Sequence, residues 1–194
     1  MKKVCIFGAS ITSGRNDHKN GGWCDLLKRH FLDQQIFIFN LGVSGDDTLD
    51  LLKRLKNECE ARQPDAIIIA LGGNDSQYFF EQNKFRVPLE QTKENFKKII
   101  EISKKYTSKI IIVGLTKVDE KKINSQYMKI KKKMYKNEYL QLYDQAIKHV
   151  AENHRLQFIP TFDLIQENDL DDGLHPTTLG HKKLFLRIQK HIQI

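Results

Sequence analysis

The feature that most constrains the fold is an alternation of short apolar segments with stretches of helical periodicity along the whole chain. Short apolar segments, typical of buried strands, occur at 3–7, 36–39, 66–71, 109–113 and 156–159. Helical spacing of apolar residues predicts helices at 23–31, around 49–55, and at 89–106, 138–153 and 177–192. Strands that alternate with helices predict an α/β fold, a three-layer α/β/α sandwich with a five-stranded parallel sheet. The chain has no internal repeat or linker, so we expect residues 1–194 to form a single domain.

The composition is that of a globular protein, with 40% hydrophobic and 29% charged residues. No apolar run approaches the roughly 20 residues of a membrane-spanning helix, so no integral membrane association is expected. The first apolar run stops after four residues, whereas a secretory signal needs about 7 to 15. We therefore expect a cytoplasmic protein. The three cysteines form no close pair, which predicts neither a disulfide framework nor a zinc site.

The net charge of +8 raises the question of an anionic partner. The lysines are scattered along most of the chain and no aromatic-basic recognition motif is present, so no nucleic-acid partner is expected. Neither a dinucleotide fingerprint nor a phosphate-binding loop occurs, and no histidine has a supporting set of metal ligands. We expect no cofactor and no metal. Nothing in the sequence indicates an oligomeric state.

Polar, glycine-marked loops follow the predicted strands. Three of them directly follow strands one to three, and a fourth precedes the last helix; they comprise residues 8–10, 40–45, 72–75 and 172–175. In parallel sheets, sites form beyond the carboxyl ends of the strands. Because these loops meet at one edge of the sheet, the sequence predicts an active site there.

The residue types in these loops indicate acyl transfer. A serine hydroxyl needs an adjacent base, usually a histidine oriented by a carboxylate. Ser10 follows the first strand, and a turn can place Asp172 and His175 in one site with it. The backbone N–H groups of Ser10 and Gly45 and the side-chain amide of Asn74 are candidate oxyanion donors.

The four blocks together resemble those of the SGNH hydrolase family, also called GDSL esterases and lipases. The blocks comprise residues 7–14, 40–46, 72–75 and 172–176, so the resemblance covers nearly the whole chain. It implies a flavodoxin-like sandwich and hydrolysis of a small-molecule ester without a metal. It also implies Ser10 as nucleophile, His175 as base, Asp172 as its orienting partner, and Gly45 and Asn74 as oxyanion donors.

One position departs from the family pattern, which usually has aspartate before the nucleophile. Here that residue is Ala9, and we expect it to change the packing or hydrogen bonds of the turn. Asp169 and Asp171 are rival carboxylates for His175; the family spacing favours Asp172.

The natural substrate is not determined by these motifs. The absence of a long apolar lid favours a short acyl group. Carbohydrate O-acetylesterase, lysophospholipase and thioesterase activities remain alternatives, as does a non-catalytic binding relative of the fold. A basic segment at 117–136, which includes Lys129 and Lys131, is interpreted as a flap over the site, a lipid-contacting helix or a solvated insertion.

Overall fold

The computed structural model describes residues 1–192, apart from the side chains of residues 126 and 129–131. Its strands, in chain order, are β1 (Lys2–Gly8), β2 (Ile36–Gly42), β3 (Ala66–Ala70), β4 (Tyr78–Phe79), β5 (Lys84–Phe85), β6 (Ile110–Val113), β7 (Lys133–Met134) and β8 (Gln157–Ile159). Its helices are α1 (Gly22–His30), α2 (Thr48–Arg62), α3 (Leu89–Lys104), α4 (Glu120–Lys131), α5 (Asn137–Asn153) and α6 (Thr178–Gln189).

The central sheet has five parallel strands in the order β2-β1-β3-β6-β8. Its register is continuous: Ile6 of β1 pairs with Asn40 on one side and with Ile68 on the other. The predicted fold class, an α/β fold with a five-stranded parallel sheet between helices, is confirmed.

Helices cover both faces of this sheet because its strands are apolar on both faces. Successive side chains of a strand point to opposite faces, and Cys5 and Phe7 pack in one core cluster while Val4 and Ile6 pack in the other. Residues of α2, α3 and α5 share the first cluster, and residues of α1 and α6 share the second. The result is a three-layer sandwich.

Two details differ from the sequence expectations. Strand β2 continues three residues beyond the predicted end at 39, because pairing with β1 extends to Gly42 opposite Gly8. The helix predicted from Leu49, Leu52 and Leu55 is present as α2, but its core-facing residues are Leu51, Leu55 and Cys59. Leu49 is 42% exposed in its first turn.

A second, smaller sheet lies outside the parallel one. It is antiparallel, with the strand order β5-β4-β7, and it joins the segment after β3 to the segment after α4. The sequence does not predict this sheet, because strands of two residues are too short to show a period.

No helix within residues 1–192 is both long enough and apolar enough to cross a membrane.

Candidate active site

Ser10 lies in a tight turn directly after β1. The turn is closed by a hydrogen bond from the Ser13 N–H to the Ala9 carbonyl, at 2.9 Å. Gly8 lets this turn pack closely, since a Cβ atom there would lie 2.7 Å from the Ala70 carbonyl oxygen. Ser10 is buried in this turn, two residues beyond the end of β1 at the edge of the sheet.

Asp172 and His175 lie in the loop before α6. Oδ2 of Asp172 is 2.6 Å from Nδ1 of His175, and Oδ1 accepts hydrogen bonds from the N–H groups of Leu174 and His175, at 3.0 and 2.8 Å. Gly173, with a φ of +89°, provides the left-handed turn between the two residues. Burial alone would raise the pKa of Asp172, but these hydrogen bonds hold it well below its ordinary value. The carboxylate is therefore ionised.

The imidazole of His175 bridges Asp172 and Ser10. Its Nε2 atom lies 2.9 Å from the Ser10 hydroxyl oxygen, and the ring is only 2% exposed. Because Nδ1 faces an ionised carboxylate, the proton of a neutral imidazole belongs on Nδ1, which leaves the lone pair of Nε2 for the serine O–H. A base on the hydroxyl and a carboxylate on the base form the arrangement that activates a serine.

The rival carboxylates have other partners. Asp169 is buried and its Oδ2 atom lies 2.7 Å from Lys183 Nζ. Asp171 is exposed, and its contact with His175 is a backbone hydrogen bond to the His175 carbonyl. Of the three aspartates weighed in the sequence, the structure brings Asp172 to the imidazole.

Asn74, which follows β3, extends toward the loop before α2. Its Nδ2 donates to the Asp46 carbonyl at 2.8 Å. Its Oδ1 accepts hydrogen bonds from the Tyr135 hydroxyl and from Gln77 Nε2, both at 2.8 Å. Asn74 and Ser10 line the same cavity.

Gly45 lies in the loop before α2 with a φ of +94°. The Gly45 carbonyl accepts a hydrogen bond from Arg86 at 2.9 Å. The neighbouring Ser44 hydroxyl is 3.3 Å from the hydroxyl of Ser13, which belongs to the turn of Ser10. The loop that carries Gly45 therefore lies beside the turn of Ser10.

Ala9 is half-buried and packs against the core cluster that contains Phe7. The turn hydrogen bond at this position uses the Ala9 backbone carbonyl. The turn of Ser10 therefore closes without a carboxylate at position 9.

The acidic residues beside the site support the helix that follows. Asp47 caps α2 by accepting from the N–H groups of Leu49 and Asp50, and Asp46 pairs with Arg54 at 2.8 Å. Asp47 therefore stabilises the start of α2, and Asp46 is held by a side chain further along the same helix.

Asp75 connects the loop after β3 to the start of α2. Its carboxyl group is fully buried and accepts hydrogen bonds from the N–H and hydroxyl of Thr48 and from the hydroxyl of Thr92. Burial outweighs these hydrogen bonds and raises the pKa of Asp75 to about 7. This carboxyl group therefore fixes the loop after β3, which carries Asn74, to the start of α2. Asp75 itself is not among the residues that line the cavity with Ser10.

A cavity of about 80 Å³ opens beside Ser10. The residues that line it are mostly apolar and include Leu71, Gly72, Asn74, Leu115, Tyr135, Leu140 and Leu174.

The basic segment at 117–136 forms α4 and β7, and the side chains of Lys129 and Lys131 lie outside the described residues. Lys121 and Lys122 are exposed, as a solvated surface requires. The same segment, however, buries Tyr135 against Asn74. Sequence reasoning missed Tyr135 and its partner Gln77 as site residues, and the density of lysines around Tyr135 concealed its burial.

Among residues 1–192, no group of three His, Cys, Asp or Glu side chains is placed to hold a metal ion.

Several known proteins are similar to the chain in sequence. An arylesterase from Vibrio mimicus is 26% identical over 181 residues, which cover 90% of this chain and 80% of the relative. The human isoamyl acetate-hydrolyzing esterase 1 homolog is 27% identical over 198 residues, which cover 94% of this chain and 78% of the relative. Both relatives are named as esterases.

Solved structures with the same fold include a lipase/acylhydrolase from Enterococcus faecalis, with a TM-score of 0.77 and 25% identity, covering 99% of this chain and 95% of that one. A catalytic mutant of an acetylxylan esterase from Geobacillus stearothermophilus superimposes with a TM-score of 0.76 at 19% identity, covering 100% and 94% of the two chains. The model of the GDSL-like Lipase/Acylhydrolase family matches residues 6–183. The resemblance found in the sequence is thus confirmed: the chain belongs to the GDSL-like Lipase/Acylhydrolase family and is a carboxylic ester hydrolase.

Proposed function

We propose that this protein hydrolyses small-molecule carboxylic esters with a short acyl group, through a covalent intermediate on Ser10. The observation that carries the proposal is the continuous hydrogen-bond chain from the Asp172 carboxylate through the His175 ring to the Ser10 hydroxyl, at 2.6 and 2.9 Å. A non-catalytic relative of the fold has no use for a buried base on a serine hydroxyl, so this geometry favours turnover.

In the first step, His175 Nε2 takes the Ser10 proton while Ser10 Oγ attacks the ester carbonyl. The imidazolium that forms is stabilised by Asp172 and then protonates the departing alcohol as the acyl–oxygen bond breaks. In the second step, His175 takes a proton from water, whose oxygen attacks the acyl-enzyme. Collapse of this second tetrahedral intermediate releases the acid and returns the proton to Ser10.

The negative oxygen of each tetrahedral intermediate requires donors that are oriented before the reaction. We assign this role to the backbone N–H groups of Ser10 and Gly45 and to Asn74 Nδ2. Among the backbone hydrogen bonds of the loops and turns in residues 1–192, none uses the N–H of Ser10 or of Gly45 as its donor. One of the two hydrogens on Asn74 Nδ2 is used by Asp46, which leaves the other for substrate.

The size of the cavity supports a short acyl group. The cavity that Ser10 lines measures about 80 Å³ and has apolar lining residues that include Leu140, which suits an acyl group as small as acetyl. The relatives named for isoamyl acetate hydrolysis agree with this size. A lysophospholipase activity, which requires a long acyl site, is correspondingly disfavoured.

The cytoplasmic location and the single domain over 1–194 stay predictions from the sequence.

The test is hydrolysis of a p-nitrophenyl ester series from acetate to decanoate by the wild type and by Ser10→Ala. We expect turnover that declines with chain length and that is lost in Ser10→Ala. Turnover retained by Ser10→Ala would remove Ser10 as nucleophile, and a maximum at decanoate would contradict the short acyl site. Acetate release from an acetylated sugar and from an acetyl thioester, measured in parallel, separates the O-acetylesterase and thioesterase alternatives.

A further inference from the structure

The residue Tyr135 connects the lysine-rich segment to the candidate oxyanion donor Asn74. Tyr135 is 1% exposed, and its hydroxyl donates to Asn74 Oδ1 at 2.8 Å. Its backbone is held by Asn124 of α4, whose side chain accepts from the Tyr135 N–H at 2.9 Å and donates to the Tyr135 carbonyl at 2.7 Å. The Tyr135 backbone is therefore fixed at both its N–H and its carbonyl, and this holds the phenol hydroxyl against Asn74.

A second side chain completes the environment of the Asn74 amide. Gln77 Nε2 donates to Asn74 Oδ1 at 2.8 Å and also to the Tyr135 hydroxyl. The other end of the Gln77 amide is fixed too, since its Oε1 accepts a hydrogen bond from Lys133 Nζ at 2.6 Å. Both hydrogens of Gln77 Nε2 are thus committed, and the direction of every donor in this group is determined.

These partners allow only one orientation of the Asn74 amide. Its oxygen faces two donors, Tyr135 and Gln77, and its nitrogen faces the Asp46 carbonyl. Rotating the amide by 180° would place its NH₂ group against the Gln77 Nε2 donor and its oxygen against the Asp46 carbonyl, so both of these hydrogen bonds would be lost. Leaving such groups without hydrogen-bond partners is unfavourable because each has lost its water partners. The free N–H of Asn74 is consequently presented on the cavity side.

We propose that Tyr135 is a positioning residue for ester hydrolysis, which fixes the Asn74 amide so that its free N–H faces the developing oxyanion. The proposal rests on the proposed function, in which Asn74 is an oxyanion donor. Burial raises the pKa of the Tyr135 hydroxyl well above its ordinary value, so the phenol keeps its proton and remains a donor over the working pH range of such an enzyme. The segment 117–136 thereby acts on the reaction through the Tyr135 hydroxyl, and Lys133 of the same segment fixes the Gln77 amide that also contacts Asn74.

The direct test is Tyr135→Phe, which removes the hydroxyl and keeps the ring that lines the cavity. With Gln77 still in place, we expect kcat for p-nitrophenyl acetate to fall by about 10-fold, the loss expected for a mispositioned donor. KM should change by less than about twofold, because the interaction strengthens only in the transition state. The matched control is Tyr143→Phe: Tyr143 is equally buried, and its hydroxyl donates to the Val87 carbonyl at 2.7 Å, away from the cavity lining. The control should lose stability and keep kcat.

A double-mutant cycle with Asn74→Ala separates positioning from other effects. We expect Asn74→Ala to lower kcat by about 10²–10³ and Tyr135→Phe to have no further effect in that background. A 10-fold loss that persists in the Asn74→Ala background, or an unchanged kcat in Tyr135→Phe alone, would overturn the positioning role and leave Asn74 in place. If Asn74→Ala itself is unimpaired, the oxyanion assignment is wrong and the role of Tyr135 falls with it.

Discussion

The Nε2 atom of His175 lies 2.9 Å from the hydroxyl oxygen of Ser10, although 165 positions separate the two residues in the sequence. The two residues come from opposite ends of the chain, one directly after the central strand β1 and the other in the loop before α6. Their contact therefore depends on the whole fold and on no local segment.

Asp172→Asn should lower kcat for p-nitrophenyl acetate by about 10³–10⁴, with little change in KM. The amide no longer stabilises the imidazolium of His175, and it permits the tautomer in which Nε2 carries the proton. Asp171→Asn, at the exposed neighbouring position, is the matched control and should keep full activity. A loss of less than about 10-fold in Asp172→Asn would argue for another carboxylate.

Gly45→Ala should slow the reaction through the backbone. The Gly45 φ of +94° is unfavourable for alanine, although a Cβ atom there would meet no atom within 4 Å. We therefore expect strain of about 1–2 kcal/mol, a shifted N–H and a kcat lowered by about 10-fold. Steady-state kinetics with Val43→Ala, in the same exposed loop, provide the comparison. An unchanged kcat would exclude the Gly45 N–H as an oxyanion donor.

Leu140→Ala should shift the preference toward longer acyl groups. Leu140 is buried in α5 and lines the cavity beside Ser10, so its truncation lengthens the acyl site. Each methylene accommodated is worth about 0.8 kcal/mol. Room for about two more methylenes should therefore raise the ratio of kcat/KM for hexanoate to that for acetate by roughly 10-fold.

Leu55→Ala is the control for Leu140→Ala. Leu55 is equally buried but lies in α2, away from the cavity lining. Both variants should lose about 2–5 kcal/mol of stability, and only Leu140→Ala should change the chain-length ratio. An equal ratio in both variants would place the acyl site elsewhere.

Asp75 predicts a pH dependence of stability. Burial raises its pKa from 3.8 to about 7 in the folded protein, so between these values the folded state holds a proton that the unfolded chain has released. The free energy of unfolding therefore falls as pH rises from about 4 to 7. Asp75→Asn cannot titrate, so its stability relative to the wild type should increase across this window.

Thermal denaturation of both proteins between pH 4 and pH 8 measures the effect of Asp75. Any constant cost of the amide against the Thr48 N–H shifts the whole curve of the variant and leaves its slope unaffected. Asp33→Asn, at an exposed position, should run parallel to the wild type. Parallel curves for Asp75→Asn as well would show that this carboxyl group titrates normally.

Much of the fold was predictable because its strands are buried on both faces. The continuous apolar character of 66–71 and 109–113 identifies central strands without any knowledge of tertiary structure, and β3 and β6 begin and end within one residue of these bounds. The core-facing side of α2 was harder to predict, because several leucines lie within one turn and only packing selects Leu51 over Leu49.

The site was predictable where the strand ends place the residues. The loop motifs point to Ser10, Asp172 and His175, and the structure brings the three side chains into hydrogen-bond contact. Their catalytic roles stay predictions. Tyr135 was not predictable in this way. It lies in a segment whose lysines suggest solvent, and its burial arises from contacts with Asn74 and Gln77 that no sequence period encodes.

We expect Ser10 to be the nucleophile of a covalent mechanism. The most direct measurement is the intact mass of the protein after reaction with a fluorophosphonate, followed by identification of the modified peptide. It is made on the wild type, on Ser10→Ala and on Ser44→Ala, the control at an exposed serine. The mechanism predicts one adduct on Ser10 in the wild type and in Ser44→Ala, and no adduct in Ser10→Ala. An adduct that persists in Ser10→Ala, or a wild-type protein that hydrolyses esters without being labelled at Ser10, would contradict it.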